Sequence, residues 1–336
     1  MADTMIILWY VTLSMWTIVR VNSFQATWWQ QNYIMACEDN RWADNQIKKA
    51  KNKCEEYKQY ACQYQTPDEE NSDKARILNG DYVFNEGTLP HMAFIMMSIE
   101  RIMNKNVVIH KLECTGTLIS DKFVMTAAHC VMDITDYYQE ILIKLGSVDR
   151  GRHTDGEWHG VDRIYKHPYY NHYEDLLHDI ALVELSETVQ FNAHIRPICL
   201  NTNYEIIKHI SAIAAGWGYN YYDGSTYPLK MVELRINDSA CDDWLSDHSP
   251  YFKVAKQFTF CAGEIENYRC GFDSSGPLQI ILMNNTCPNT YELIGVPAFG
   301  YDRSPLNCSF NNGVYSKVEL YVPWIASIVW TDSDDE

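Results

Sequence analysis

The chain has 336 residues, 46% of them apolar, and a formal net charge of −17. That length supports a sizeable core and more than one folding unit. The acidic balance argues against nucleic acid as a partner, because a phosphate backbone would repel it.

From the N-terminus, Met5 to Val19 is an apolar run too short for a comfortable membrane span. Val21-Asn22-Ser23 comes next, with small residues suited to cleavage after Ser23. The expectation is a signal peptide over 1–23 and a secreted, extracellular product with no membrane association after cleavage. The basic leader residues usual in such a segment are missing, and a signal anchor ended by Arg20 is the alternative. Eleven cysteines in this length agree with an oxidising compartment.

Phe24 to about Arg76 is polar, charged and dotted with Trp and Tyr, and holds three cysteines. Within it, Ile47, Ala50, Cys54, Tyr57 and Ala61 recur at three- and four-residue steps, which predicts an amphipathic helix over Asn45–Tyr64. Gln65 to Lys74 then reads as an exposed linker. This N-terminal segment precedes a long region of different character, which begins at Ile77.

From there, short β-branched and aromatic runs recur between turn residues. They are Met92–Ile99, Asn106–Cys114, Phe123–Ala127, Ile141–Ser147, Ile180–Leu185, Ile210–Ala215, Lys230–Ile236, Leu278–Met283, Tyr291–Phe299 and Gly313–Val318. So many short strands predict an all-β barrel or sandwich. Tyr321–Trp330 is apolar and predicts a C-terminal helix, and 331–336 is an acidic tail. Asn237-Asp238-Ser239, Asn284-Asn285-Thr286 and Asn307-Cys308-Ser309 fit the glycosylation triplet.

Three words carry chemistry: Thr126-Ala127-Ala128-His129-Cys130, His178-Asp179-Ile180-Ala181-Leu182 and Asp273-Ser274-Ser275-Gly276-Pro277. They supply a histidine, an aspartate and a serine in that order. A serine hydroxyl is a weak nucleophile at its own pKa and needs a base beside it. The base needs a carboxylate to fix its tautomer and stabilise its charged form. Arg76-Ile77-Leu78-Asn79-Gly80, Pro90-His91-Met92-Ala93, Gly216-Trp217-Gly218, Cys261-Ala262-Gly263 and Gly313-Val314-Tyr315 accompany them. In order and spacing these words resemble the trypsin/chymotrypsin-like serine proteases, with the likeness running from Ile77 to about Trp330.

The resemblance implies two six-stranded antiparallel barrels with a site in the cleft between them, and a C-terminal helix. It assigns 77–330 to the protease domain and 24–76 to a propeptide. Arg76-Ile77 resembles the activation bond of a zymogen. The new amino group of Ile77 would turn inward to pair with Asp273, since a buried ammonium is very costly alone. His129 would be the general base, Asp179 its orienting partner and Ser274 the nucleophile. The backbone N–H groups of Phe272 and Ser274 would form the oxyanion hole. Implied disulfides are Cys114–Cys130, Cys241–Cys261 and Cys270–Cys308. Cys199 would tether the propeptide through Cys54, whose surroundings resemble arthropod clip-type linkers, or through Cys62. Too few cysteines precede Arg76 for a full clip module. The implied partners are a protein substrate and an upstream activating protease; no cofactor and no metal is implied. His153, His159, His167 and His172 read as solvated loop positions without ligand spacing to cysteine.

The chain departs from the family at several points. Phe272 and Ser275 replace glycines, and a bulky side chain resists the conformation that aims the oxyanion N–H. Ala298 stands where a serine usually supports the aspartate. Tyr268 occupies the base of the specificity pocket, where it cannot pair with Arg or Lys, while Gly300 and Gly313 keep the walls open. Two functions are consistent with these words: a secreted endopeptidase not specific for Arg or Lys and of low activity, or a non-catalytic homologue that binds partners.

Overall fold

The computed structural model describes residues 40–64, 81–83, 85–103, 106–131, 140–149, 155–170, 177–206, 210–217, 228–239, 241–242, 246, 252–264, 276–282, 290–300 and 313–331. The chain divides into two compact units, 1–45 and 46–336. Of the first, only the opening of helix α1 (Asn40–Gln63) is described. The second holds the described strands and the other described helices.

Twelve of the fourteen strands among the described residues build two closed antiparallel barrels. The first takes β2 (Met92–Met103), β3 (Asn106–Leu118), β4 (Phe123–Thr126), β5 (Glu140–Leu145), β6 (Glu157–Lys166) and β7 (Ala181–Leu185), closing in the order β2-β3-β4-β7-β6-β5. The second takes β9 (Ser211–Gly216), β10 (Lys230–Ile236), β11 (Thr259–Glu264), β12 (Leu278–Ile281), β13 (Tyr291–Gly300) and β14 (Gly313–Lys317). It runs β10-β11-β14-β13-β12-β9 and closes through β9 onto β10. Short β1 (Asp81–Tyr82) adds to β10, and β8 (Cys199–Leu200) pairs parallel with β13. Helix α2 (Phe252–Phe258) leads into β11, and α3 (Val322–Val329) comes after a 3-10 turn at Val318–Tyr321.

Period-two burial explains the second barrel. Ala212 and Ala214, then Val232, Leu234 and Ile236, then Phe260 and Ala262, then Leu278 and Ile280 all point into one core cluster. Each strand thus gives alternate residues to the interior. The first barrel fills with Ile95, Met97, Leu118, Val124, Ile143, Leu145 and Leu182, all fully buried. Four strands escape the sequence pattern: β1 and β8 are two residues long, β6 has exposed or half-exposed residues throughout, and β11 carries the weak strand formers Ala and Gly.

Helix α1 begins five residues before the start the periodicity predicts. Ala50, Tyr57 and Ala61 form its buried stripe. Lys49 Nζ donates to the Trp330 carbonyl at 2.8 Å, and the Trp330 indole N–H donates to the Tyr57 hydroxyl at 3.2 Å. Phe191 meets the Tyr57 and Tyr60 rings edge-on. Of the two candidates for Cys199, the bond is to Cys54; Cys62 belongs to a different disulfide.

Candidate active site

Strand pairing brings two of the three chemical words together. In the β4–β7 ladder Thr126 lies opposite Ala181. His129, three residues beyond Thr126, and Asp179, two residues before Ala181, therefore emerge at the same end of the first barrel. Past β4 the chain turns into a 3-10 segment, Ala128–Val131. The Cys114–Cys130 disulfide and the Thr126 hydroxyl, which donates to the Thr115 carbonyl at 3.0 Å, anchor that turn to β3.

Asp179 directs both oxygens at one residue. Oδ1 accepts the backbone N–H of His129 at 2.8 Å, and Oδ2 accepts from Nδ1 at 2.6 Å. An ionised carboxylate is acceptor-only, so the short contact places the imidazole proton on Nδ1. Nε2 then keeps its lone pair for a proton from elsewhere. The carboxylate side chain is 5% exposed and the imidazole 27%, so the charge is sheltered while the base stays reachable. Such a charge-assisted bond in a partly dry site is stronger than its surface counterpart.

The backbone at Asp179 is bent by its neighbour. His178 has φ 57°, the left-handed region, and is the one non-glycine residue with positive φ among those described. Its carbonyl accepts the Ile180 N–H at 2.8 Å, closing a tight turn over Asp179. Histidine is one of the side chains that enters this region more readily than most, at a cost of about 1–2 kcal/mol. Rings offset that cost: His167 stacks on His178 at 4.8 Å and 15°, and Phe258 meets it edge-on at 4.8 Å. Nδ1 of His178 is hydrogen-bonded with the Tyr321 hydroxyl at 3.3 Å. Burial pushes His178 down to about 4 and His167 well below the usual histidine range.

His167 is therefore a buried ring packed between His178, Tyr321 and Trp324, which corrects its reading as a solvated loop position. His159 is corrected too: it lies within strand β6 with its side chain only 12% exposed. The sequence signal is weak in both cases, since histidine is buried and exposed with comparable frequency and the neighbours, Trp158 and Gly160 or Lys166 and Pro168, do not decide. Nothing in the local pattern marks His178 inside the aspartate word. His153 and His172 lie outside the described residues.

On the opposing barrel, Gly276 leads from the serine word into β12. A Cβ there would lie 2.0 Å from the Ala215 carbonyl oxygen and 3.5 Å from Thr115 Cγ2. Only glycine lets this segment approach β9 so closely. The carbonyl of its neighbour Pro277 accepts the Ala215 N–H at 3.3 Å. Thr115, beside the histidine turn, and Gly276, two residues past Ser274, thus face each other across the two barrels. Gly300 and Gly313 are paired partners of β13 and β14, and the Tyr315 ring lies against Gly313, 2.9 Å from where a Cβ would stand. Ala298 is buried at a β-bulge between Pro297 and Phe299. Both bonds to Asp179 among the described residues come from His129. Cys241–Cys261 is a disulfide. Arg76, Ile77, Tyr268, Cys270, Phe272, Asp273, Ser274, Ser275 and Cys308 lie outside the described residues.

The sequence profile of trypsin matches residues 79–325. Among curated relatives, the chain is 30% identical over 238 residues to CLIP domain-containing serine protease B4 of Anopheles gambiae, covering 65% of this chain and 62% of that one. It is 31% identical to Melanization protease 1 of Drosophila melanogaster, covering 64% and 58%. Clotting factor G beta subunit of Tachypleus tridentatus matches at 28%, covering 67% and 73%. The chain thus spans only 62% and 58% of the first two proteins.

Proposed function

The chain belongs to the trypsin family of serine proteases, and we propose that it is a secreted endopeptidase made as an inactive precursor and switched on by cleavage between Arg76 and Ile77. One observation carries this reading: the 2.6 Å bond from His129 Nδ1 to a nearly buried Asp179. That bond readies the other ring nitrogen to accept and return a proton. Ser274 then attacks a peptide carbonyl while His129 Nε2 takes the hydroxyl proton, and the imidazolium is held by Asp179. The same proton passes to the leaving amine as the C–N bond breaks, and water then attacks the Ser274 ester by the same route, releasing the acid and restoring the serine hydroxyl.

The partners are a protein substrate and the protease that cuts at Arg76. Segments 1–23 and 24–76 act as signal peptide and propeptide. No helix among the described residues is long and apolar enough to cross a membrane. Tyr268 at the pocket base favours residues other than Arg or Lys. Relatives named for clotting and melanization support an extracellular cascade as the setting.

The test is to cleave the folded precursor at Arg76 and add a fluorophosphonate, which reacts only with an activated serine. Labelling that vanishes in Ser274→Ala supports the endopeptidase. A folded, correctly cut chain that resists labelling favours the alternative, a non-catalytic partner-binding homologue, for which Phe272 in the oxyanion word is the motive.

A further inference from the structure

We propose that His178 is a positioning residue for the Asp179–His129 pair, acting through the rings of His167, Phe258 and Tyr321 that clamp it. The inference rests on reading Asp179 as the orienting carboxylate of a base.

Asp179 lies in the turn closed by the bond from Ile180 N–H to the His178 carbonyl, so the direction of its side chain depends on the dihedrals of His178. Those dihedrals fall where an L side chain is resisted, and an unrestrained residue would relax toward negative φ. Such a relaxation would swing the carboxylate away from Nδ1. What opposes it is the position of the His178 ring, which is fixed from three separate elements. The turn after β6 supplies the parallel stack of His167 and the flank of Tyr169, 5.8 Å away. The end of α2 supplies Phe258, and the 3-10 turn before α3 supplies Tyr321, both as an edge contact and as a hydrogen bond. His167 is held in turn by Trp324 at 5.0 Å, and its backbone N–H donates to the Ile180 carbonyl at 3.0 Å, so the clamp grips both sides of Asp179.

The clamp also links distant parts of the molecule. Phe258 ends α2 in the second barrel's sequence, and Tyr321 precedes the C-terminal helix. Both converge on the residue before Asp179. Asp179 thereby takes its aim from the packing of the whole protein, rather than from the first barrel alone.

The experiment separates positioning from catalysis and from folding. The readout is the proton of the 2.6 Å bond between Nδ1 and Oδ2, for which so short a contact predicts a far-downfield resonance in one-dimensional NMR. It is compared in wild type, His178→Ala, Phe258→Ala and His178→Asn, the last a variant that tolerates left-handed dihedrals but loses the ring. Positioning predicts that Phe258→Ala and His178→Asn, with amide spectra otherwise intact, lose or shift this resonance. In the cleaved enzyme kcat then falls roughly tenfold to a hundredfold at unchanged KM, as a misplacement of about 1 Å entails. His178→Tyr, which returns a ring to the clamp, recovers part of the signal. An unchanged resonance in folded His178→Asn and Phe258→Ala overturns the proposal. If the resonance responds but no variant or wild type cleaves peptide or takes up a fluorophosphonate, the positioning stands and the endopeptidase reading fails.

Discussion

Trp330 donates its indole N–H to the hydroxyl of Tyr57, a residue 273 positions earlier in the chain. Both side chains are buried, so the pair closes helix α1 onto the end of helix α3. Tyr57→Phe keeps the ring and leaves the indole donor without its acceptor, at about 1–2 kcal/mol. Tyr57→Ala opens a cavity and costs about 3–5 kcal/mol. Urea midpoints with unchanged slopes measure both; equal midpoints for Tyr57→Phe and wild type would show that water replaces the bond.

Asp179→Asn removes the charge yet keeps the shape. The expected outcome is a loss of about 10⁴ in kcat in the cleaved protein, because the amide favours the wrong imidazole tautomer. Circular dichroism should not change. Peptide hydrolysis within about tenfold of wild type would contradict the assignment of His129 as base.

Gly276→Ala introduces a Cβ 2.0 Å from the Ala215 carbonyl oxygen. That oxygen is backbone and cannot swing aside, so the β9–β12 junction must part. The expected destabilisation is about 3 kcal/mol, with loss of fluorophosphonate labelling as the serine segment shifts. A thermal midpoint within a degree or two of wild type would show that the segment has slack.

Acid should destabilise the fold through three buried rings, of which His167 is held well below the usual histidine range by burial. Burial holds His91 down to about 3, helped by the charge of Arg196; His178 is held down to about 4 by burial alone. Unfolded histidines take up a proton near pH 6.5. Between that pH and the folded values the unfolded chain binds more protons. Stability therefore falls as pH falls through the window from about 6.5 to about 4 for His178 and to about 3 for His91. Thermal midpoints followed from about pH 7 to about pH 4 should drop, and His91→Leu should flatten part of that slope. A slope unaltered by His91→Leu would exclude His91 as a contributor.

Phe272→Gly should raise turnover of the cleaved protein, by up to about 10²–10³ if the benzyl group has cost it one oxyanion donor. A rate unchanged by Phe272→Gly would mean that the N–H already points the right way.

Much of the fold could be read from residue order because buried strands repeat with period two. Lys230–Ile236 has the same limits by pattern and by structure, and Met92, Phe123, Leu278, Tyr291 and Gly313 each begin a strand in both. Strand ends were less legible: β2 runs on past Ile99 through Glu100 and Arg101 to Met103, and β3 continues past Cys114 to Leu118. Strand β6 showed no alternation, because neither of its faces is fully buried. At the site, the local words marked His129 and Asp179, whose nearness is a consequence of the β4–β7 register. The ring clamp on His178 was hidden, because His167, Phe258 and Tyr321 come from three elements with no spacing in common.

Cys54 and Cys199 share a covalent bond across 145 positions of sequence. A backbone cut at Arg76 therefore yields two polypeptides and still one molecule. Under the proposed cleavage, the helix that carries Cys54 therefore stays fastened to the barrels, and separating the two pieces takes a reductant as well as a protease.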